Sequence, residues 1–304
     1  MSASVDWCEW SVPLVEGFGA ADCASDWAAF LGGMVPSGRG MWGYANSAAV
    51  LGSGRIAWDD ERRDMGVHVS LPASALGRLA AVGLDFATIY CRVRNSGGKF
   101  TRIDIACDSR SVSMDVVLHA IESNYVVSRA RSIRLVRELR GAGCTVYVGS
   151  GSSDTMVRFY DKAAERGLTD VVWTRCEVQL RRNRADSWAD LVYLGDSLAS
   201  YFRGVVDFRD RASESNVSRA EPVDWWLDWL GDGSDVVAKI VQVAARGDVA
   251  AWEAWIAKQV APSLAAVFLA RGGDMGYLRE VLANGGGRIP GWKHQIIALA
   301  IRGG

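Results

Sequence analysis

Four stretches of this chain alternate, residue by residue, between apolar side chains and side chains that ionise or hydrogen-bond. They are MGVHVSL (65–71), TRIDIACD (101–108), TMVRFYDK (155–162) and WTRCEVQLR (173–181). A strand sends successive side chains to opposite faces, so this pattern predicts half-buried strands. Val67, Val69, Ile103, Ile105, Cys107, Val157, Phe159, Cys176, Val178 and Leu180 would line a core. His68, Asp104, Asp108, Arg158, Tyr160, Lys162, Arg175, Glu177 and Gln179 would line the other face. Two readings fit such a face. It is the solvated side of an antiparallel sheet, where mixed charges need no chemistry. Or it is a site, since His with Asp and Glu makes a hard-metal set and a tyrosine flanked by cations at i±2 suits phosphoryl chemistry.

The rest of the chain fills in around these strands. VDWCEWSVPLV (5–15) reads as a strand, and 22–32 as a helix ending at Gly32-Gly33. MWGYANSAAVLGSGRIAW reads as two strands and a turn, and Pro72 opens a helix over ASALGRLAAVG. Residues 112–140 read as one or two helices, TVYVGS-GSSD-TMVRFYDKA as a hairpin, and 185–208 as helical. RDRASESNVSRAEP is a polar linker, followed by helical pattern from Trp225 to about residue 300. Strands first and helices later predict an α+β fold: a largely antiparallel sheet with flanking helices, then a helical C-terminal region. The expected division is 1–210 and 211–304.

Charge restricts the partners. The 304 residues carry a formal net charge of −1, so no bulk attraction to a polyanion exists and any nucleic-acid site must be local. SRARSIRLVRELR spaces Arg131, Arg134, Arg137 and Arg140 at i, i+3, which on a helix is a stripe able to meet phosphates or a plain solvated face. Arg181 and Arg182 extend a cationic edge beyond Glu177. The six cysteines show no CxxC pair and fit a reduced cytoplasm. No N-terminal signal pattern and no apolar run of membrane-spanning length is present, so no membrane partner is expected. The 13 tryptophans lie mostly in apolar patterns and read as packing residues.

TRIDIACD, TVYVGSGSSDTMVRFYDKAAERG and WTRCEVQLRR, in this order, resemble the replication initiation factor family (Rep_trans). MGVHVSLPASAL and VDWCEWSV resemble its earlier strands, and WWLDWL resembles the Trp-rich segment of its phage branch. The resemblance implies a rolling-circle initiator that nicks and rejoins single-stranded DNA through a 5′-phosphotyrosine. Tyr160 falls on the nucleophile, with Arg158 and Lys162 to stabilise charge and favour tyrosinate. Asp104 and Glu177 fall on metal-ligand positions for Mg²⁺ or Mn²⁺. His68 stands where plasmid members tend to carry Glu, which makes it the third ligand, and Gln179 replaces a second acid. Arg131, Arg134, Arg137, Arg181 and Arg182 are the DNA-binding candidates. The implied partners are single-stranded or melted origin DNA, a host helicase and a host polymerase, in the cytoplasm (the host's, for a phage protein). A second cleavage at termination would call on a homodimer. Two alternatives stay open: a relaxase of a conjugative element, and a non-catalytic DNA-binding regulator on the same fold.

Overall fold

The computed structural model describes residues 3–138, 143–194, 198–210, 214, 216, 219–231, 234, 256 and 261–286. Twelve strands occur among them: β1 (Ala3–Val12), β2 (Met34–Pro36), β3 (Asn46–Val50), β4 (Gly54–Trp58), β5 (Val67–Pro72), β6 (Lys99–Ser109), β7 (Val126–Ser128), β8 (Ile133–Arg137), β9 (Cys144–Val148), β10 (Thr155–Asp161), β11 (Thr174–Arg181) and β12 (Val206–Phe208). Helices are α1 (Ala20–Phe30), α2 (Ala73–Ala81), α3 (Phe86–Asn95), α4 (Met114–Glu122), α5 (Lys162–Glu165), α6 (Asn183–Leu194), α7 (Leu198–Val205), α8 (Asp224–Leu230), α9 (Ala261–Ala270) and α10 (Met275–Gly286). The fold is α+β, as the alternation predicts.

Ten strands form one sheet in the order β2-β3-β4-β5-β1-β6-β11-β10-β9-β8, and every neighbouring pair is antiparallel. β7 and β12 pair separately. The four alternating stretches supply β5, β6, β10 and β11, and β1 inserts between β5 and β6. All the predicted core-facing residues of those stretches are buried. On the core side Trp10 of β1 packs on Trp27 of α1, with ring centroids 5.6 Å apart. Phe159 of β10 packs on Phe208, Trp226 and Trp229 at 5.6–6.2 Å. Each fully buried aromatic of this kind contributes roughly 1.5–3 kcal/mol by transfer from water. Among the described residues Trp10, Trp27, Trp188, Trp226 and Trp229 are core residues, the first, third and fourth of them wholly buried.

The segment read as helical over 112–140 is helical only through α4. Beyond it the chain forms β7 and then β8, which closes the sheet edge against β9. IRLVR carries the β-branched Ile133 and Val136, and pairing with β9 overrides the arginine spacing. Residues 86–95, where Phe86, Ile89, Tyr90 and Val93 recur at i, i+3, i+4 and i+7, form α3, started by Asp85 accepting from the Thr88 backbone at 2.9 Å. Contacts divide the chain into Met1–Ile240 and Val241–Gly304. α8, which holds WWLDWL, therefore lies in the first unit, where Trp226 and Trp229 cover Phe159. Among the described residues no helix is long and apolar enough to cross a membrane.

Candidate active site

The polar face is where the adjacent strands β5, β1, β6, β11 and β10 bring distant residues together. Glu177 lies directly opposite Arg158, and Tyr160 opposite Arg175. Tyr160 is thus a diagonal neighbour of Glu177, within reach of a long side chain. Its hydroxyl donates to Glu177 Oε2 at 3.3 Å, and Arg158 donates to Glu177 Oε1. The same guanidinium lies 3.7 Å from Asp104 Oδ2 on β6. Asp104 also takes two bonds from Arg102, at 2.9 and 2.5 Å. Arg102 in turn lies 3.8 Å from Glu9 on β1, and Glu9 lies 3.8 Å from His68 Nε2 on β5. Three acids are therefore linked by two arginines in one row, with His68 at one end and Tyr160 at the other.

Burial decides the electrostatics. Asp104 and Glu177 are 1% and 3% exposed. Burial pushes the Glu177 carboxyl above its ordinary value; Arg158 opposes this and Asp104 reinforces it. Burial pushes the Tyr160 phenol up as well, and the Glu177 charge adds to that against the pull of Arg175. The expectation that flanking cations favour tyrosinate is corrected here: Arg158 is engaged by Glu177, and Tyr160 rests protonated on a carboxylate. Burial lowers the His68 pKa, with Glu9 opposing, which favours a neutral imidazole. Arg158 Nε is buried and has no hydrogen-bond partner, an unmet donor inside the row.

The remaining candidates divide. Lys162 falls just past the strand, as the first residue of α5; it is buried, pairs with Glu165, and holds Nζ 5.4 Å from the Tyr160 ring centroid. Gln179 is opposite Asp104, with its amide oxygen facing the Arg102 guanidinium once its orientation satisfies both ends. The helical arginine stripe does not exist. Arg131 precedes β8, and Arg134 and Arg137, three residues apart on a strand, point to opposite faces. Arg140 lies outside the described residues. Arg134 stays on the site's side of the sheet, with its guanidinium 4.9 Å from the Tyr147 ring centroid and Tyr147 opposite Arg158. Arg181 donates to the Gly151 carbonyl at 2.7 Å and Arg182 to Asp154 at 2.8 Å, so both brace the β9–β10 loop.

Of the row, the sequence singled out neither Arg102 nor the acid Glu9. Glu9 accepts from Trp7 Nε1 at 2.8 Å and from Ser70 Oγ at 3.1 Å. The available signal was the i, i+2 pattern Trp7-Glu9-Ser11, hidden because one of the three is a tryptophan. For a divalent ion the donor types are suitable, since carboxylates and neutral imidazole are ligands of Mg²⁺ and Mn²⁺ classes. Among the described residues, however, no three His, Cys, Asp or Glu side chains form a group able to hold an ion. Asp104 and Glu177 come together around a positive charge, the Arg158 guanidinium, whereas His68 belongs with Glu9 two strands away. The pair fits a cation in kind, and the set of three expected from the resemblance is split.

A tyrosine, three acids and two arginines carried in a row by an antiparallel sheet define a sheet-borne ionic site with a candidate nucleophile at one end. The chain belongs to the Replication initiation factor family, Rep_trans, whose model matches residues 98–282. It is similar to a rolling circle replication initiator protein from Geobacillus stearothermophilus, whose solved structure superposes with a TM-score of 0.66 at 26% identity, covering 78% of this chain and 98% of that one. It is also 27% identical over 157 residues to the putative DNA relaxase NicK of Bacillus subtilis (strain 168), covering 45% of this chain. This last match spans 44% of the relaxase's length.

Proposed function

We propose that this chain nicks and rejoins single-stranded DNA through Tyr160, and so initiates rolling-circle replication of a phage or plasmid. The observation that supports it most is the hydrogen bond from the Tyr160 hydroxyl to Glu177 inside the Arg158–Asp104 row. In the reaction the phenolic oxygen attacks phosphorus while Glu177 takes its proton. The bond from phosphorus to the 3′ oxygen breaks, that oxygen takes up a proton, and a 5′-phosphotyrosine remains. A carboxylate whose pKa is raised is a better match for a phenol than an ordinary one. Arg158, bonded to the same Glu177 carboxylate as the Tyr160 hydroxyl, meets the phosphoryl oxygens as charge builds on them. Asp104 and Glu177 would hold a divalent ion, which when bound supplies further positive charge to the phosphate. Reversal of the same steps rejoins the strand.

The partner is origin DNA, with a host polymerase to extend the 3′ hydroxyl and a host helicase to open the duplex. Similarity to a protein named as a DNA relaxase favours a second reading, conjugative transfer by the same chemistry. The test is incubation of the full chain with single-stranded DNA from its own replicon and Mn²⁺. An SDS-resistant protein–DNA adduct that disappears in Tyr160→Phe is the expected result. DNA binding without any adduct would instead make the chain a regulator. Replication of an origin-bearing circle, against its transfer to a recipient cell, separates initiator from relaxase.

A further inference from the structure

The sequence MWGY lies in the connection between β2 and β3. Met41 and Tyr44 exchange both backbone hydrogen bonds, at 3.1 and 3.0 Å. Trp42 and Gly43 are thus the two central residues of a two-residue turn, with φ of 56° and 86°. Positive φ at both positions is the type I′ pattern, which selects Asn, Asp or Gly. A tryptophan in that backbone region is strained and persists only where its surroundings hold it.

Those surroundings are visible. A Cβ on Gly40 would lie 2.0 Å from the Tyr44 carbonyl oxygen, so only glycine fits the neck of the turn. Tyr44 Oη donates to the Met65 carbonyl at 3.0 Å, and the Ala45 N–H donates to Asp59 at 3.0 Å. Packing of Trp42 itself does not explain the arrangement, because that residue is 47% exposed. Its ring stands edge-on to His68 at 5.0 Å, at the end of the ionic row opposite Tyr160. A rigid turn therefore presents a large aromatic surface to solvent beside the site, at a cost to the backbone.

We propose that Trp42 is a stacking platform for an unpaired base of the strand that crosses the polar face to Tyr160. This rests on the nicking function proposed above. Base stacking on an exposed aromatic is sequence-tolerant and strong enough to fix a strand's path. From β5 to β10 is four strand spacings, about 19 Å. That is roughly the length of six stacked nucleotides, within the span such sites cover. Arg102 and Arg158 lie along the route and suit the intervening phosphates.

The experiment measures binding of the full chain to a 20-nucleotide mixed-sequence DNA strand and to an abasic strand of equal length. Trp42→Asn removes the ring and supplies a residue the turn accepts, so it should melt at or above the wild-type temperature. It should bind the base-bearing strand about tenfold more weakly and the abasic strand equally well. Trp42→Phe should keep most of the affinity. Wild-type affinity of Trp42→Asn for the base-bearing strand, or an equal loss on both strands, overturns the proposal. So does a lowered melting temperature, which makes Trp42 a packing residue. Adduct formation by Tyr160, scored in the same preparations, reports on nicking separately. A wild-type chain that binds neither strand removes both.

Discussion

Tyr160 donates its phenolic hydrogen to Glu177 Oε2 at 3.3 Å across two neighbouring strands, and burial raises the pKa of both groups. The bond is long for an O–H···O contact, as catalytic hydrogen bonds in free enzymes often are. The proton on the nucleophile thus already has an acceptor, and that acceptor is held in place through its other oxygen by Arg158.

Glu177→Gln keeps the shape and a hydrogen-bonding oxygen but cannot take the proton. The rate of covalent adduct formation should fall by about 100- to 10,000-fold, with single-strand affinity nearly unchanged. Quenched-flow adduct assays alongside anisotropy binding measure the two. A variant that forms adduct at the wild-type rate would remove Glu177 as the base.

Arg158→Ala leaves Asp104 and Glu177 facing each other without the cation between them. Uncompensated buried charge of this kind costs on the order of 3 kcal/mol. The melting temperature should drop, and millimolar Mn²⁺ should restore part of the loss in the variant while shifting the wild type less. Equal shifts in both proteins would show that the acid pair is no seat for a divalent ion.

Arg134 shares the face of Tyr147 and Arg158, whereas Arg137 points to the side of Val146 and Val148. Arg134→Ala should lower the slope of log affinity against log salt by about one, the signature of one lost phosphate contact. Arg137→Ala should leave the slope alone. Equal effects from the two would return both to a general, non-specific contribution.

Much of this was legible because the strands obey period two. Alternation put His68, Asp104, Arg158, Tyr160 and Glu177 each on the polar face of its own strand, and the strand pairing brings those faces to one side of one sheet. The strand order was not legible, since alternation says nothing of which strands are neighbours. That is why His68 and Asp104 could be grouped although β1 separates them. Glu9 escaped because its face of β1 also carries Trp7, which blurs the contrast between an apolar and a polar face. Arg134 and Arg137 were misplaced because an i, i+3 spacing is natural to a helix, and only the partner strand β9 reveals otherwise.

At the Tyr160 end of the row, Arg175 grips Asp108 with two bonds, at 2.6 and 2.9 Å, and reaches Asp6 at 2.6 Å. Burial alone would raise the Asp108 pKa, but Arg175 outweighs it and holds the carboxyl below the usual aspartate range. A depressed folded-state pKa adds stability that is fully present above the unfolded value, about 3.9, and is lost as pH falls through the folded value. Asp108→Asn should therefore lower stability at pH 7 by about 1 kcal/mol, a modest figure because the side chain is partly solvated and Asp6 still engages Arg175. The difference between variant and wild type should hold from pH 7 down to about pH 4 and then close in more acid solution. Thermal melts across that range measure it. A gap that stays open in acid would assign the effect to lost packing rather than to the Asp108 charge.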